Sequence, residues 1–216
     1  MRVVAPAGAV LLLLFVASAA PASAQQHQPL PIAAADLRLF YSGLGQDPVT
    51  ATDLGVSVDR LPKRGLGGVI GLHIYPIRGR SMALGLGGEW MIARGRAQAT
   101  DAETGAAVGL PIEQRLNGIS PQISLNFGHR EGWSYLSAGM GPLSFETFEG
   151  QLAPAERPPK KATINMGGGA RWFSTSHLAF SFDVRFYLTR PQESVGSQPG
   201  RGRSRLLVLS GGVSFK

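Results

Sequence analysis

Residues 81–95 read SMALGLGGEWMIARG, and apolar side chains alternate here with small or polar ones. One face of the alternation carries large apolar side chains, namely Met82, Leu84, Leu86, Trp90 and Ile92. The other face carries small or charged side chains, namely Ala83, Gly85, Gly87, Glu89 and Ala93. Successive side chains of a β-strand point to opposite faces of the sheet, so this period of two residues predicts a strand with one apolar face.

The same alternation recurs along the chain, and the connectors between the segments alternate between short and long. The eight segments are Ala34–Gly43, Leu66–Arg78, Ser81–Gly95, Arg115–Phe127, Trp133–Phe145, Ala162–Phe173, His177–Thr189 and Arg205–Phe215. The long connectors are Leu44–Gly65, Arg96–Gln114, Glu146–Lys161 and Arg190–Ser204. Short turns on one side and long loops on the other predict an all-β fold, an eight-stranded antiparallel up-and-down transmembrane β-barrel.

The first strand has a second possible location. Thr52–Arg60 is an alternative to Ala34–Gly43 as strand one. The same region also has Leu54, Val58 and Leu61 at helical spacing, which indicates a short helix near 52–61. The sequence leaves both interpretations open.

The N-terminus has the form of a secretory signal peptide. A positive start at Arg2 precedes the apolar run 9–20 (AVLLLLFVASAA), and Ala22-Ser23-Ala24 is a small-residue cleavage pattern. The run is too short for a transmembrane helix, which needs about 20 apolar residues. We therefore expect a signal peptide at 1–24, a periplasmic linker at 25–33 and the barrel at 34–216.

Composition excludes several classes of protein and of site. The chain has no cysteine, so it has neither a disulfide nor a thiolate metal site. Its net charge is +7, but the basic residues form no clustered stripe with interleaved aromatics, so nucleic acid is not expected as a partner. An anionic envelope surface fits this charge better.

The chemistry of the two faces separates a membrane barrel from a soluble one. One face is aliphatic and aromatic, while the other is made of Gly, Ala, Ser, Asn, Gln and a few charges, which suits a narrow lumen filled by side chains. The apolar face is therefore expected outside, in lipid. Aromatics near strand ends are expected to form interfacial girdles: Tyr41, Tyr75, Trp90, Phe127, Trp133, Phe145, Trp172, Phe173 and Phe215. The alternative is a soluble exported lipocalin-like carrier of an apolar ligand.

These features together resemble the small outer-membrane β-barrel families of Gram-negative bacteria, the OmpA-transmembrane and OmpX-like group. The last strand alternates through Leu207, Leu209, Gly211 and Val213 to Phe215, similar to the signal read by the barrel-assembly machinery. Members of that group end on the aromatic, whereas here Lys216 follows it. The resemblance implies an outer-membrane location, a monomer, and contact with the assembly machinery, membrane lipid and lipopolysaccharide.

Charged residues on the polar face are the candidate site in the lumen. They are Asp36, Arg38, Glu89, Arg171, Asp183 and Arg185, with His73 as a neighbour. An ion-pair network is expected, because isolated buried charge costs several kcal/mol. A gated ion path is the alternative. Catalysis by Glu89 and Asp183 is not expected, because arginines hold adjacent carboxylates ionised.

No catalytic residue, cofactor or metal ligand is predicted. The four histidines have no metal-binding spacing. His177 with Ser174 or Ser176 would serve a lipid-modifying barrel enzyme, but these residues fit an ordinary turn. Recognition is therefore expected in the long loops. Their charges are Glu146, Glu149, Arg157, Lys160, Lys161, Arg190, Arg201, Arg203 and Arg205. We interpret these charges as solvated, and the alternative is contact with lipopolysaccharide phosphates or with a host or envelope ligand.

Overall fold

The computed structural model describes residues 29–101, 103–150 and 157–216, so the expected signal peptide at 1–24 lies outside the described residues. Eight strands follow one another: β1 Ala33–Gly43, β2 Arg64–Arg78, β3 Met82–Thr100, β4 Ala107–His129, β5 Gly132–Glu149, β6 Lys161–Phe173, β7 Leu178–Thr189 and β8 Arg205–Phe215. A short helix α1, Pro48–Asp53, and a 3-10 turn, Val58–Arg60, lie between β1 and β2. Within the described residues, no helix is long and apolar enough to span a membrane.

The strands form a closed antiparallel barrel in sequence order, which confirms the predicted fold class. Each strand pairs with its chain neighbours, and β1 pairs with β8 to close the sheet. The register followed once around the barrel from Ala33 returns to β1 beside Gly43, ten residues further along. This stagger tilts the strands and keeps the lumen of eight strands narrow.

Three strands extend well beyond their predicted ends. The segment 96–114, predicted as a loop, is largely a continuation of β3 and β4, with Arg96 opposite Glu113 and Thr100 opposite Ala107. β5 likewise continues to Glu149. The extension of β3 has no large apolar side chain, and in that of β4 the alternation of Val108, Leu110 and Ile112 is brief and ends at the polar pair Glu113-Gln114.

The first strand lies at Ala33–Gly43, and the alternative at Thr52–Arg60 is wrong. That region instead contains the end of α1 and the 3-10 turn. Asp47 caps α1 by accepting a hydrogen bond from the Thr50 amide at 3.0 Å, and Pro48 occupies its first turn. The short helix expected near 52–61 thus lies earlier, at Pro48–Asp53, and the spacing of Leu54, Val58 and Leu61 corresponds only to a 3-10 turn.

The two faces of the wall differ as the alternation predicted. Along β1, Leu37 and Leu39 point outward and are 53 % and 76 % exposed, while Asp36, Arg38 and Phe40 point inward and are buried. The same parity holds on the other strands, where outward side chains include Leu66, Ile70, Leu86, Ile123, Leu136, Ile164, Phe180, Phe186 and Leu209. The apolar surface is therefore on the outside of the barrel, and the polar side chains are inside.

The end of the barrel that carries the short turns, here called the turn end, is closed by an apolar cluster. Leu30, Ala34, Tyr75, Ala83 and Trp133 are buried together, and Phe173 packs against them with its ring 5.1 Å from that of Trp133. Leu30 belongs to the expected linker at 25–33. Its carbonyl accepts from Arg78 at 3.2 Å, so the described part of that linker is held against the barrel.

Three of the nine aromatics assigned to lipid girdles lie in the lumen instead, and a fourth, Phe173, packs against the inner cluster at the turn end. Tyr75, Trp133 and Phe145 are 2 %, 3 % and 6 % exposed. Each occupies an inward position by strand parity, which a count of aromatics near strand ends does not detect. Trp90 is outward but lies within β3, opposite Ile70 and Ile119. Exposed aromatics near strand ends include Tyr41, Phe127, Trp172 and Phe215.

Adjacent glycines of β8 provide a test of the close inner packing. A β-carbon on Gly212, which points inward, would overlap the Leu37 carbonyl oxygen and lie 2.6 Å from Arg38 Cα. A β-carbon on the outward Gly211 would approach nothing closer than 3.8 Å. We expect Gly212→Ala to lower the free energy of unfolding by about 1–3 kcal/mol, since overpacking forces backbone shifts. Urea denaturation measures this, and an equal loss in Gly211→Ala would contradict the assignment of faces.

Candidate functional site

The part of the lumen nearest the turn end holds a bidentate ion pair between β1 and β6. Arg171 donates through Nε to Asp36 Oδ1 at 2.9 Å and through Nη2 to Oδ2 at 2.6 Å. Ser214 also donates to Asp36 Oδ1, and His73 Nδ1 lies 3.6 Å from Oδ2. This geometry is the strong bidentate form of an arginine–carboxylate contact.

The middle of the lumen holds a four-residue cluster of alternating charge. Arg38 pairs with Glu89 and lies 3.3 Å from Asp183, while Arg185 lies 3.0 Å from Asp183 and 3.6 Å from Glu89. These four side chains come from β1, β3 and β7. Neutral side chains form further hydrogen bonds with the cluster: Gln122 donates to Glu89 at 2.8 Å, and Arg185 donates to Asn165 and Ser137 at 2.8 and 2.7 Å.

Tyr135 connects the two groups of charges. Its hydroxyl donates to Asp183 at 2.9 Å and accepts from Arg38 at 3.3 Å, and the Arg171 guanidinium lies 4.4 Å from the centre of its ring. In β5 Tyr135 and its neighbour Leu136 point to opposite faces of the wall. Leu136 is exposed and Tyr135 is buried, so the tyrosine is part of the lumen.

The six charged residues singled out in the sequence are thus all in the lumen, where they form two groups of ion pairs that Tyr135 connects. Each is at most 3 % exposed, and their three carboxylates balance their three guanidinium groups. Sequence reasoning did not assign Tyr135, Gln122, Asn165 and Ser137 to this site, although each forms a hydrogen bond with one of the charged residues. Parity from Arg171 places Asn165 inside, because both lie on β6. The other three lie on β4 and β5, which carry no identified lumen charge, so only the register with the neighbouring strands places them inside.

The other end of the barrel, here called the loop end, is covered by α1 and the connector between β7 and β8. Thr50 donates to the Gly200 carbonyl at 2.8 Å, the Gly200 amide donates to Asp53 at 2.7 Å, and the Gly202 amide donates to Asp47 at 3.0 Å. Helix α1 is fixed to the connector by these bonds.

Arg201 lies at the centre of this cover and is buried, which corrects its interpretation as a solvated loop charge. It donates to the carbonyl oxygens of Leu44 and Gly45, and its guanidinium lies 4.0 Å from the centre of the Phe145 ring. Burial lowers the pKa of Arg201 to about 10, so the group remains charged at neutral pH. The charges at Arg157, Lys160, Arg190, Arg203 and Arg205 are exposed.

The serine and histidine considered for catalysis form a local turn. Ser176 Oγ lies 2.7 Å from His177 Nδ1, but Ser174 donates to the Leu178 carbonyl instead. In the part of the chain that the structure describes, no carboxylate hydrogen-bonds to the His177 ring. Over the same residues, no group of three or more His, Cys, Asp or Glu side chains is placed to hold a metal ion.

Comparison with known proteins identifies similar structures but no similar sequences. No protein-family model matches the chain, and no curated protein matches it. Neisserial surface protein A has a TM-score of 0.52 at 13% identity, covering 85% of this chain and 95% of that one. Weaker similarities are to Ail of Yersinia pestis in complex with sucrose octasulfate (TM-score 0.42, 12% identity, 85% and 97% covered) and to the N-terminal barrel of Pseudomonas aeruginosa OprF (0.36, 13%, 88% and 98%).

The match to Neisserial surface protein A shows the fold. This chain shares the eight-stranded barrel fold of that protein, which is the architecture that its alternating segments predicted.

Removal of one partner from the ion pair between Asp36 and Arg171 tests how much the stability of the barrel depends on that pair. Arg171→Met leaves the Asp36 carboxylate buried without its guanidinium, so we expect the free energy of unfolding to fall by about 3–5 kcal/mol. In Asp36→Leu/Arg171→Met no charge is stranded, and the loss should be much smaller. Urea denaturation of the two variants measures both values. Equal losses would show that the pair contributes through packing and not through charge.

Proposed function

We propose that this chain is an outer-membrane β-barrel protein with a structural or surface-interaction role, monomeric and without catalytic activity. The observation that supports this most strongly is the apolar outer wall. Exposed Leu, Ile, Phe and Met side chains occur on all eight strands. Such a surface greatly exceeds the patch of a few hundred Å² that soluble proteins expose, whereas lipid covers it without cost.

The dimensions and closure of the sheet support the same proposal. Strands tilted in a barrel need about 9–11 residues to cross a bilayer, and the shortest strands here, β1 and β8, have 11. A closed sheet also leaves no unpaired edge, which is the condition for strands in lipid. The short turns would then lie in the periplasm and the long connectors outside the cell.

A lipocalin-like carrier fits the lumen poorly. The lumen of such a carrier is apolar and open to a ligand. The lumen of this barrel is instead crossed by ion pairs, among them Asp36 with Arg171 and Asp183 with Arg185. The gap beside Glu89, Ser120 and Tyr187 measures about 10 Å³, enough for one water molecule. A lipid-modifying enzyme has no more support, since the Ser176 and His177 pair belongs to a turn.

A structural role also fits the two closed ends better than an ion path does. The cluster around Trp133 fills the turn end, and Arg201 with Phe145 fills the loop end. Between them the charged residues are paired with one another. An ion would have to displace buried pairs at two levels, which is expensive in a medium of low dielectric constant.

The C-terminus is arranged in a way that suits assembly. Phe215 remains on the outward face, opposite Ala35 and Leu178, and is exposed. Lys216 folds away from it, donating to the Arg130 carbonyl with its ammonium group 3.6 Å from the Phe173 ring centre. The extra lysine thus leaves the terminal aromatic accessible, and we propose that the barrel-assembly machinery recognises it.

Cell fractionation tests the proposal directly. We expect the mature chain in the outer-membrane fraction, and we expect its migration on SDS gels to change on boiling because a closed barrel resists unfolding by the detergent. Recovery in the soluble periplasmic fraction would exclude the proposal and favour the carrier.

A charge placed on the outer wall tests whether that wall faces lipid. Leu39→Arg puts a guanidinium near the middle of β1, and we expect the free energy of unfolding in phospholipid vesicles to fall by about 2–4 kcal/mol. Val49→Arg makes the same change on α1, outside the barrel wall, and should have little effect. If both variants were equally stable in vesicles, the wall would not be in contact with lipid.

A further inference from the structure

A cleft of about 680 Å³ lies on the outer wall of the barrel, where the apolar surface ends. Leu66 and Ile92 contribute apolar surface to it, and Arg94 and Arg115 line it from β3 and β4. Arg157 and Lys160, just before β6, also line it. Its volume is in the range of small-molecule sites, about 300–1,000 Å³.

The strand register shows that the cleft lies at a chemical boundary. One row of residues runs across β2 to β5, because Leu66 pairs with Arg94, Arg94 with Arg115, and Arg115 with Glu146. Two residues closer to the turn end, Ile92 begins the exposed apolar side chains of β3. A ligand in the cleft can therefore touch charged groups and, directly below them, the apolar wall.

The charges around the cleft favour an anion. Four cations line it against one carboxylate, that of Glu146. Glu113 holds Arg94 at 2.6 Å and lies 3.5 Å from Arg115, which orients both guanidinium groups. Within the described residues neither Arg157 nor Lys160 forms an ion pair. Among the described residues, the cleft keeps two cations in excess after Glu146 and Glu113 are counted.

We propose that this cleft binds a phosphorylated lipid of the outer leaflet, namely the lipid A part of lipopolysaccharide. Its phosphates would contact Arg157, Lys160, Arg94 and Arg115, since arginine and lysine are the usual phosphate ligands. Its acyl chains would lie along Leu66 and Ile92 and continue onto the apolar wall. The inference rests on the proposed outer-membrane location, because only there does the cleft face this lipid.

The test uses the purified full-length mature chain in detergent micelles, with bisphosphorylated lipid A as the probe and native mass spectrometry as the readout. We expect one lipid A to bind, and Arg157→Gln/Lys160→Gln to weaken its affinity by about tenfold, as expected for the loss of two partly exposed phosphate contacts. These two positions are chosen because their substitution strands no buried carboxylate. The change in migration on boiling confirms that each variant is folded.

Two controls show whether lipid A binding depends on the charges of the cleft and on the phosphates of the lipid. Arg190→Gln/Arg205→Gln removes the same charge from exposed positions of the loop end that do not line the cleft, and should leave the affinity unchanged. Dephosphorylated lipid A should bind at least tenfold more weakly than the bisphosphorylated form. An equal loss in both double variants, or equal binding of the dephosphorylated lipid, would overturn the proposal.

The remaining outcome concerns a soluble anion. If inorganic phosphate at millimolar concentration displaced lipid A completely, the cleft would be an anion site and the lipid assignment would be wrong. The binding measurement does not depend on where the protein resides in the cell. A soluble fraction with intact lipid A binding would therefore exclude the proposed function alone, and an outer-membrane fraction without binding would exclude only the cleft.

Discussion

The closure of the sheet between β1 and β8 is the contact on which the rest of the structure depends. Residues 35–42 of β1 lie opposite 208–215 of β8, and this pairing removes the last free edge of the wall. Closure at eight strands leaves room inside only for side chains. The wall is also tight at this seam, because Gly212 lies against the backbone of Leu37 and Arg38. An inward side chain must therefore be small, or it must be matched to a partner across the lumen.

The ion pairs satisfy that requirement and fix the register at the same time. Asp36 and Arg171 join β1 to β6, and Arg38, Glu89 and Arg185 join β1, β3 and β7. A slip of one residue between strands would move these charges onto the apolar outer wall, where each would be unpaired. The cost of that error is much larger than the net gain from the correct pairs. The network thus specifies one register more than it adds stability.

The sequence predicted the barrel wherever one face of a strand is strongly apolar, and its errors fall where that signal is missing. The extension of β3 through 96–100 has no large apolar side chain, and that of β4 has only three alternating ones, so both looked like a loop. Tyr75 and Trp133 are apolar enough for either face, and only counting parity from a known lumen residue separates the two. Arg201 is buried by contacts with Leu44 and Phe145, which lie far away in sequence. No local pattern predicts such a contact.

The two ends of the barrel are closed by different means, and this difference has consequences for dynamics. At the turn end, Trp133 stacks on Phe173 within an apolar cluster, which only gains from being buried. At the loop end, Arg201 carries its charge into the cover, where backbone carbonyls and an aromatic ring contact it and the Asp47 carboxylate stabilises it without a direct ion pair. Burial of that charge opposes closure, as its lowered pKa indicates. The cover is joined to the barrel by a few hydrogen bonds, whereas the wall is a continuous ladder, so the cover should open locally well before any strand separates.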